Sequence, residues 1–293
     1  MVPLSVVIPS YRRADLLQDC LESVCSYAPH GTEIIVVDDG SKNGIISSVA
    51  KMFASVQVVR NAVSLGFCGA VNRGISAAQG TIIELLNDDT IVTPGWADSA
   101  LSEFTDPAIG CVAPLVLIRG NSRQDRVQID SAGDHYHLGG FARKRFHRKL
   151  LKEKNLQREI VFGASASSAF YRADLLRLVG GFPELFQAYF EDVDVSWRIR
   201  NAGWKTLFTP HSVVWHHVHG SYQERPELVE QQSRNEERVW WRNVPNKRRH
   251  ALAHLMTLAG KSFRRLSEGN FRPFLRGRMQ AWRELICNTS FDN

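Results

Sequence analysis

The most restrictive feature of the chain is a rhythm in its first ninety residues: short apolar runs, each stopped by a polar turn, alternate with segments of helical period. LSVVI (4–8) stops at Pro9, and Leu17, Cys20, Leu21 and Val24 then recur at i, i+3, i+4 and i+7, which predicts a helix. EIIVV (33–37) ends at Asp38-Asp39-Gly40-Ser41. VQVV (56–59) leads through a Gly-rich turn into a small-residue helix near 69–78, and TIIELL (81–86) ends at Asn87-Asp88-Asp89. Apolar strands alternating with helices predict an α/β fold with a mostly parallel central sheet covered on both faces. The polar clusters fall just after the strands, where open α/β sheets bind ligands.

Beyond residue 118 the rhythm changes. Residues 119–158 have no clear period and eleven Lys/Arg against four acids, and read as a long excursion or mobile loop over the site. Regular pattern returns at 160–172, and EDVDVSWRIRNAG (191–203) predicts a helix with acids at its start and Gly203 as its stop. VVWHHVHG (213–220) reads as a strand, and from about 226 the chain turns polar and helical. Two units are expected: a domain over 1–225 and a basic helical C-terminal extension over 226–293, where residues 245–293 carry ten Lys/Arg against three acids.

The net charge of +6 therefore covers an acidic body with two basic segments. That does not suit one continuous basic face for nucleic acid; it suits a cation-binding centre with basic surfaces for phosphates or anionic lipid. No apolar run approaches the length of a membrane span, and the start lacks a leader pattern, so a cytoplasmic location is expected. The five cysteines (20, 25, 68, 111 and 287) lack C-x-x-C spacing and read as buried free thiols.

Four clusters carry chemistry, and each has a plainer alternative. Asp38-Asp39 is either a turn or a pair of acceptors for a base and a ribose. Asn87-Asp88-Asp89 is either a solvated turn or a carboxylate pair for Mg²⁺ or Mn²⁺, whose shell phosphate oxygens complete. Glu191-Asp192 either caps a helix or, flanked by Tyr189 and Phe190, provides a desolvated general base. His216, His217 and His219 are either structural or include one ligand, since a strand puts His216 on the face opposite the other two.

In this order, VVIPSYRR (6–13), VVDDGS (36–41), NAVSLGFCGAVNRG (61–74), LLNDDT (85–90), GASASSAFYR (163–172), VGGFPELFQAYFEDVDVSWRIRNAGW (179–204) and VVWHHVHGS (213–221) resemble the family 2 glycosyltransferases of GT-A fold. The similarity is strongest to the rhamnosyltransferase-like branch that builds bacterial surface polysaccharides. It implies that Pro9, Tyr11 and Arg13 line a nucleotide pocket that Asp38 or Asp39 completes, with Asn87 and Asp88 beside it. It implies that Asp89 binds the divalent metal, that His216 contacts metal or diphosphate, and that Asp192, paired with Glu191, is the catalytic base. Trp197 and Arg198 would lie near the acceptor. Two departures stand out: Asn-Asp-Asp replaces a strict Asp-x-Asp and leaves the role of Asp88 open, and Phe182-Pro183-Glu184 replaces the frequent Phe-Asp-Glu.

The implied reaction is inverting transfer of a sugar from a nucleoside-diphosphate donor, a UDP- or dTDP-sugar, to a saccharide or lipid-linked acceptor. A catalytically silent sugar-nucleotide-binding scaffold and a nucleotidyltransferase are the alternatives. No glycine-rich basic loop follows the first strand, which disfavours the nucleotidyltransferase, and no G-x-G-x-x-G follows it, which disfavours a dinucleotide enzyme. The tail's stripe of Leu252, Leu255, Met256, Ala259, Phe263 and Leu266 is expected to pack on the domain. The alternative is an interfacial helix that holds the enzyme peripherally at the inner face of an anionic membrane.

Overall fold

The computed structural model describes residues 3–120, 126–218 and 225–287. The first part runs β1 (Leu4–Ser10), α1 (Ala14–Tyr27), β2 (Glu33–Asp38), α2 (Ile45–Ala50), β3 (Val56–Arg60), α3 (Gly66–Ala77) and β4 (Ile82–Leu86). There follow β5 (Thr90–Val92), α4 (Trp96–Glu103), β6 (Ile109–Ile118), β7 (Ile129–Ser131), the hairpin β8 (Asp134–His137) and β9 (Phe141–Lys144), and β10 (Glu159–Val161). The rest is β11 (Ser168–Arg172), α5 (Ala173–Leu178), α6 (Glu191–Asn201), β12 (Lys205–His216), α7 (Pro226–Asn243), α8 (Lys247–Ser267) and α9 (Phe271–Cys287).

The main sheet has the order β10-β12-β6-β11-β4-β1-β2-β3, with β5 added to β12 and β7 to β6. Strands β3, β2, β1 and β4 pair in parallel, as do β12 and β6, while β11 runs antiparallel between β4 and β6. β1 is buried along its whole length: Leu4, Val6 and Ile8 join one core with α1, α2 and α4, and Val7 joins the other with α3. Two-sided burial explains why the first strands read as unbroken apolar runs. α3 lies so close to β1 that a Cβ on Gly74 would collide with Val7.

Several local expectations change. The 119–158 excursion contains β7 and the β8–β9 hairpin, elements too short to leave a period in the sequence. The late strand ends at His216, so the strand alternation assumed for His217 does not apply, and His219 lies outside the described residues. Cys20, Cys68 and Cys111 are buried free thiols, but Cys25 and Cys287 are exposed. The stripe on α8 faces outward: the helix packs through a polar side, where His254 bonds Gly139 O at 2.9 Å and Glu237 at 3.2 Å.

One buried acid interrupts the sheet's apolar core. Glu84 on β4 accepts from Trp96 Nε1 at 3.1 Å and from Ser168 Oγ at 2.9 Å, and burial pushes its pKa up to about 8. The unfolded chain ionises near 4.5, so Glu84's contribution is full below that pH and is lost as pH rises towards 8. Glu84→Gln removes the titration. Urea unfolding across this window should show the variant gaining on the wild type with rising pH; a constant difference would mean that Glu84 is already ionised in the fold.

Candidate functional site

One cavity opens beyond the carboxyl ends of β1, β2 and β4, and a second lies between the β8–β9 hairpin and the start of α6. The first, about 500 Å³, is lined by Pro9, Tyr11, Arg13, Asp39, Asn87 and Asp88, together with Ser64 and Phe67. β1, β2 and β4 end side by side in parallel, which brings residues from three distant segments into one wall. Asp38 and Asp39 part company here. Asp38 is fully buried and takes Ser41 N at 2.8 Å, Ser47 N at 3.1 Å and Arg60 at 3.2 Å, so it holds the turn. Asp39 lines the cavity and accepts from Asn61 (2.8 Å), Ser64 (2.7 Å) and the amides of Leu65 (2.8 Å) and Gly66 (3.0 Å), where α3 begins.

Behind the cavity lies an alternating chain of charges. Half-exposed Arg13 spans both buried acids, reaching Asp88 at 2.7 Å and Asp89 at 2.5 Å, and Ser10 donates to Asp88 at 2.7 Å. Burial dominates at Asp88 and pushes its pKa up to about 6. Burial would also raise Asp89, but His216 and Arg13 outweigh it and hold Asp89 below the ordinary carboxylate range. The β5–β12 pairing sets His216 opposite Thr90 and so brings its ring to Asp89. Nε2 of His216 lies 3.2 Å from Asp89 Oδ1, and Nδ1 lies 2.9 Å from Asp130. Burial disfavours the imidazolium, yet the two carboxylates prevail and raise His216 to about 8.

Asp130 has no precedent in the sequence reading. It is buried on β7, bonded also to Lys144 at 2.8 Å and close to His147 at 3.2 Å, and these partners depress its pKa against the cost of burial. Lys144 in turn lines the second cavity, about 810 Å³, with Asp134, Arg143, His147, Lys149, Lys154, Tyr189, Phe190 and Asp192. Asp192 is half-buried, with the amides of Ala166 at 3.1 Å and Val193 at 2.8 Å donating to it. Burial raises Asp192 above the usual range, and Asp134, where burial is joined by repulsion from the Asp192 carboxylate, is raised further. A lone Asp inside an aperiodic basic stretch left no signal by which either Asp130 or Asp134 was visible.

The loop before α6 aims Asp192. Gln187, Tyr189 and Phe190 take φ of 60°, 69° and 67°, left-handed values that non-glycine residues rarely adopt. Asn235 on α7 holds the loop by donating to Phe186 O and Ala188 O at 2.9 Å and to Tyr189 O at 3.0 Å. Glu191 points into protein, buried and raised by desolvation. Trp197 and Arg198 line neither cavity. Trp197 sits edge-on to Tyr136 and Phe162, with centroids 5.1 and 5.3 Å away, and Arg198 bonds Asp194 at 2.7 Å and Gly181 O at 2.8 Å.

A family-wide sequence profile, Glycosyl transferase family 2, matches residues 5–180. The chain is 25% identical over 233 residues to an N-acetylglucosaminyl-diphospho-decaprenol L-rhamnosyltransferase of Mycobacterium tuberculosis, covering 73% of this chain and 76% of that protein. It is 27% identical over 214 residues to a pre-mycofactocin glycosyltransferase of the same species, covering 73% of this chain and 42% of the other. The chain spans less than half the length of the first curated relatives it matches. Among solved structures, a mannosyltransferase from Pyrobaculum calidifontis, in complex with GDP-Man and Mn²⁺, superimposes with a TM-score of 0.60 at 16% identity. That match covers 98% of this chain and 81% of the other, and it shows a shared GT-A fold.

Asp130 is expected to set the protonation of His216. In Asp130→Asn, an NMR titration should show His216 giving up its proton about one pH unit or more below the wild type, towards the ordinary 6.5. An unmoved midpoint would leave Asp89 as sole cause.

Proposed function

The chain belongs to the family 2 glycosyl transferases, and from that premise we propose that it moves a sugar from a nucleoside-diphosphate donor to a saccharide or lipid-linked acceptor, with inversion. The observation that carries the reading is the pairing of two cavities: a carboxylate-lined one at the strand ends and a larger basic one into which Asp192 projects. The donor's nucleoside lies in the first, where Tyr11 offers a ring and Asp39 an acceptor at the wall. The acceptor enters the second. Asp192, its proton affinity raised by burial, takes the proton from the acceptor hydroxyl as that oxygen attacks the anomeric carbon. Arg13 supplies positive charge on the side where the diphosphate leaves.

The residues present fit a divalent cation in part. Asp89 Oδ1 is buried without a well-aligned hydrogen bond, and His216 Nε2 stands beside it at 3.2 Å. Among the described residues no group of three or more His, Cys, Asp or Glu stands ready to hold a metal alone. Asp89 and His216 would therefore share Mg²⁺ or Mn²⁺ with the donor's phosphate oxygens and water. When bound, the ion neutralises charge on the departing diphosphate. The solved mannosyltransferase of similar fold, which carries GDP-Man and Mn²⁺, supports this reading. The mycobacterial relative, named for a diphospho-decaprenol acceptor, supports a lipid-linked acceptor, which would bring the reaction to the face of a membrane.

A thermal-shift panel of UDP-, dTDP- and GDP-sugars with and without Mn²⁺ should single out one donor that raises Tm. Asp192→Asn should keep that shift and lose about 10²–10⁴-fold in transfer rate; a near-normal rate would remove Asp192 as base. Calorimetry should find Mn²⁺ binding about tenfold or more tighter with nucleotide present than without, and less so in Asp89→Ala. Equal affinity without nucleotide would place the ion elsewhere.

A further inference from the structure

α8 is amphipathic in the reverse of the usual sense. It contains six Lys/Arg and no Asp or Glu. At about 100° per residue, Leu252, Leu255, Met256, Ala259, Phe263 and Leu266 fall on one arc of the helix. That arc is open to solvent: Leu252 is 71% exposed, Met256 68% and Phe263 77%. The polar side is the one that docks. His254 is buried against Gly139 and Glu237, and Lys261 is paired with Glu236. Packing has thus given His254 and Lys261 partners inside and left the apolar side chains in water, an arrangement that marks a surface built to be covered.

Charge selects the occupant. Arg248 and Arg249 are exposed at the start of the same helix, and no acid of α8 offsets them. A second copy would bring an equally cationic face against this one, whereas an anionic bilayer offers both an apolar layer for the stripe and counter-charge for the arginines. Among the described residues no helix is long and apolar enough to cross a membrane, so α8 would lie in the surface. We propose that the outer face of α8 seats this protein on an anionic lipid bilayer. The inner face of the same helix touches the β8–β9 turn, with His254 at Gly139 O (2.9 Å) and Lys261 Nζ 5.8 Å from the centre of the Phe141 ring. β9 then carries Arg143 and Lys144 into the second cavity beside Asp192. The seat therefore holds that cavity one hairpin away from the lipid.

The test is flotation of the full chain with phosphatidylcholine vesicles, with and without phosphatidylglycerol. Wild type should float with the anionic vesicles only, and less as salt rises. Leu255→Ser/Phe263→Ser, changing two exposed side chains, should weaken binding about tenfold or more. The nucleotide-induced thermal shift should survive in that variant, which separates loss of the seat from loss of the donor site or of the fold. Failure of wild type to float, or equal flotation of the variant, would overturn the proposal. So would a wild-type dimer in light scattering that the same variant makes monomeric, since a second copy would then be the cover.

Discussion

The site depends on keeping several buried carboxylates in one place. Asp88, Asp89 and Asp130 are all nearly inaccessible, and burial alone would make each give up its charge. What permits ionisation is alternation: Arg13 joins Asp88 to Asp89, His216 joins Asp89 to Asp130, and Asp130 holds Lys144. A buried charge left alone costs several kcal/mol, so each link needs its neighbours. The same line of residues runs from the wall of the smaller cavity to the wall of the larger. Asp192 and Asp134 stand outside it: burial raises both even though Lys144 acts on each, and that raised proton affinity suits a base.

The helical extension is bound into this arrangement. α7 supplies Val239 and Trp240 to the core, Asn243 to Asp194 at 2.7 Å, and Asn235 to the strained loop before α6. Left-handed φ at three non-glycine residues costs about 1–3 kcal/mol each, so it persists only where surrounding bonds hold the loop in place. Asn235 makes three such bonds to backbone carbonyls. A buried hub fixes the later helices to α7: Glu237 accepts from Arg278 at 2.6 Å and from Trp241 and Trp282 at 2.7 Å. Satisfying this hub turns the polar side of α8 inward, and its apolar stripe faces out as a consequence.

Period and punctuation along the chain were enough to determine the strand–helix alternation, the acidic clusters at strand ends and the fold class, because two-sided burial forces unbroken apolar strands and turns force polar residues. Local chemistry could not decide within each cluster. Asp38 and Asp39 are neighbours with the same side chain, yet only Asp39 lines the cavity, since successive residues leaving a strand point to opposite sides. His216 meets Asp89 through the register of β5 on β12, and Asp130 reaches His216 through β7 on β6. These are long-range pairings that no sequence spacing records. The α8 stripe shows the same limit: periodicity established that the helix has an apolar face, and only tertiary packing, governed by where its buried polar groups found partners, determined that this face looks outward.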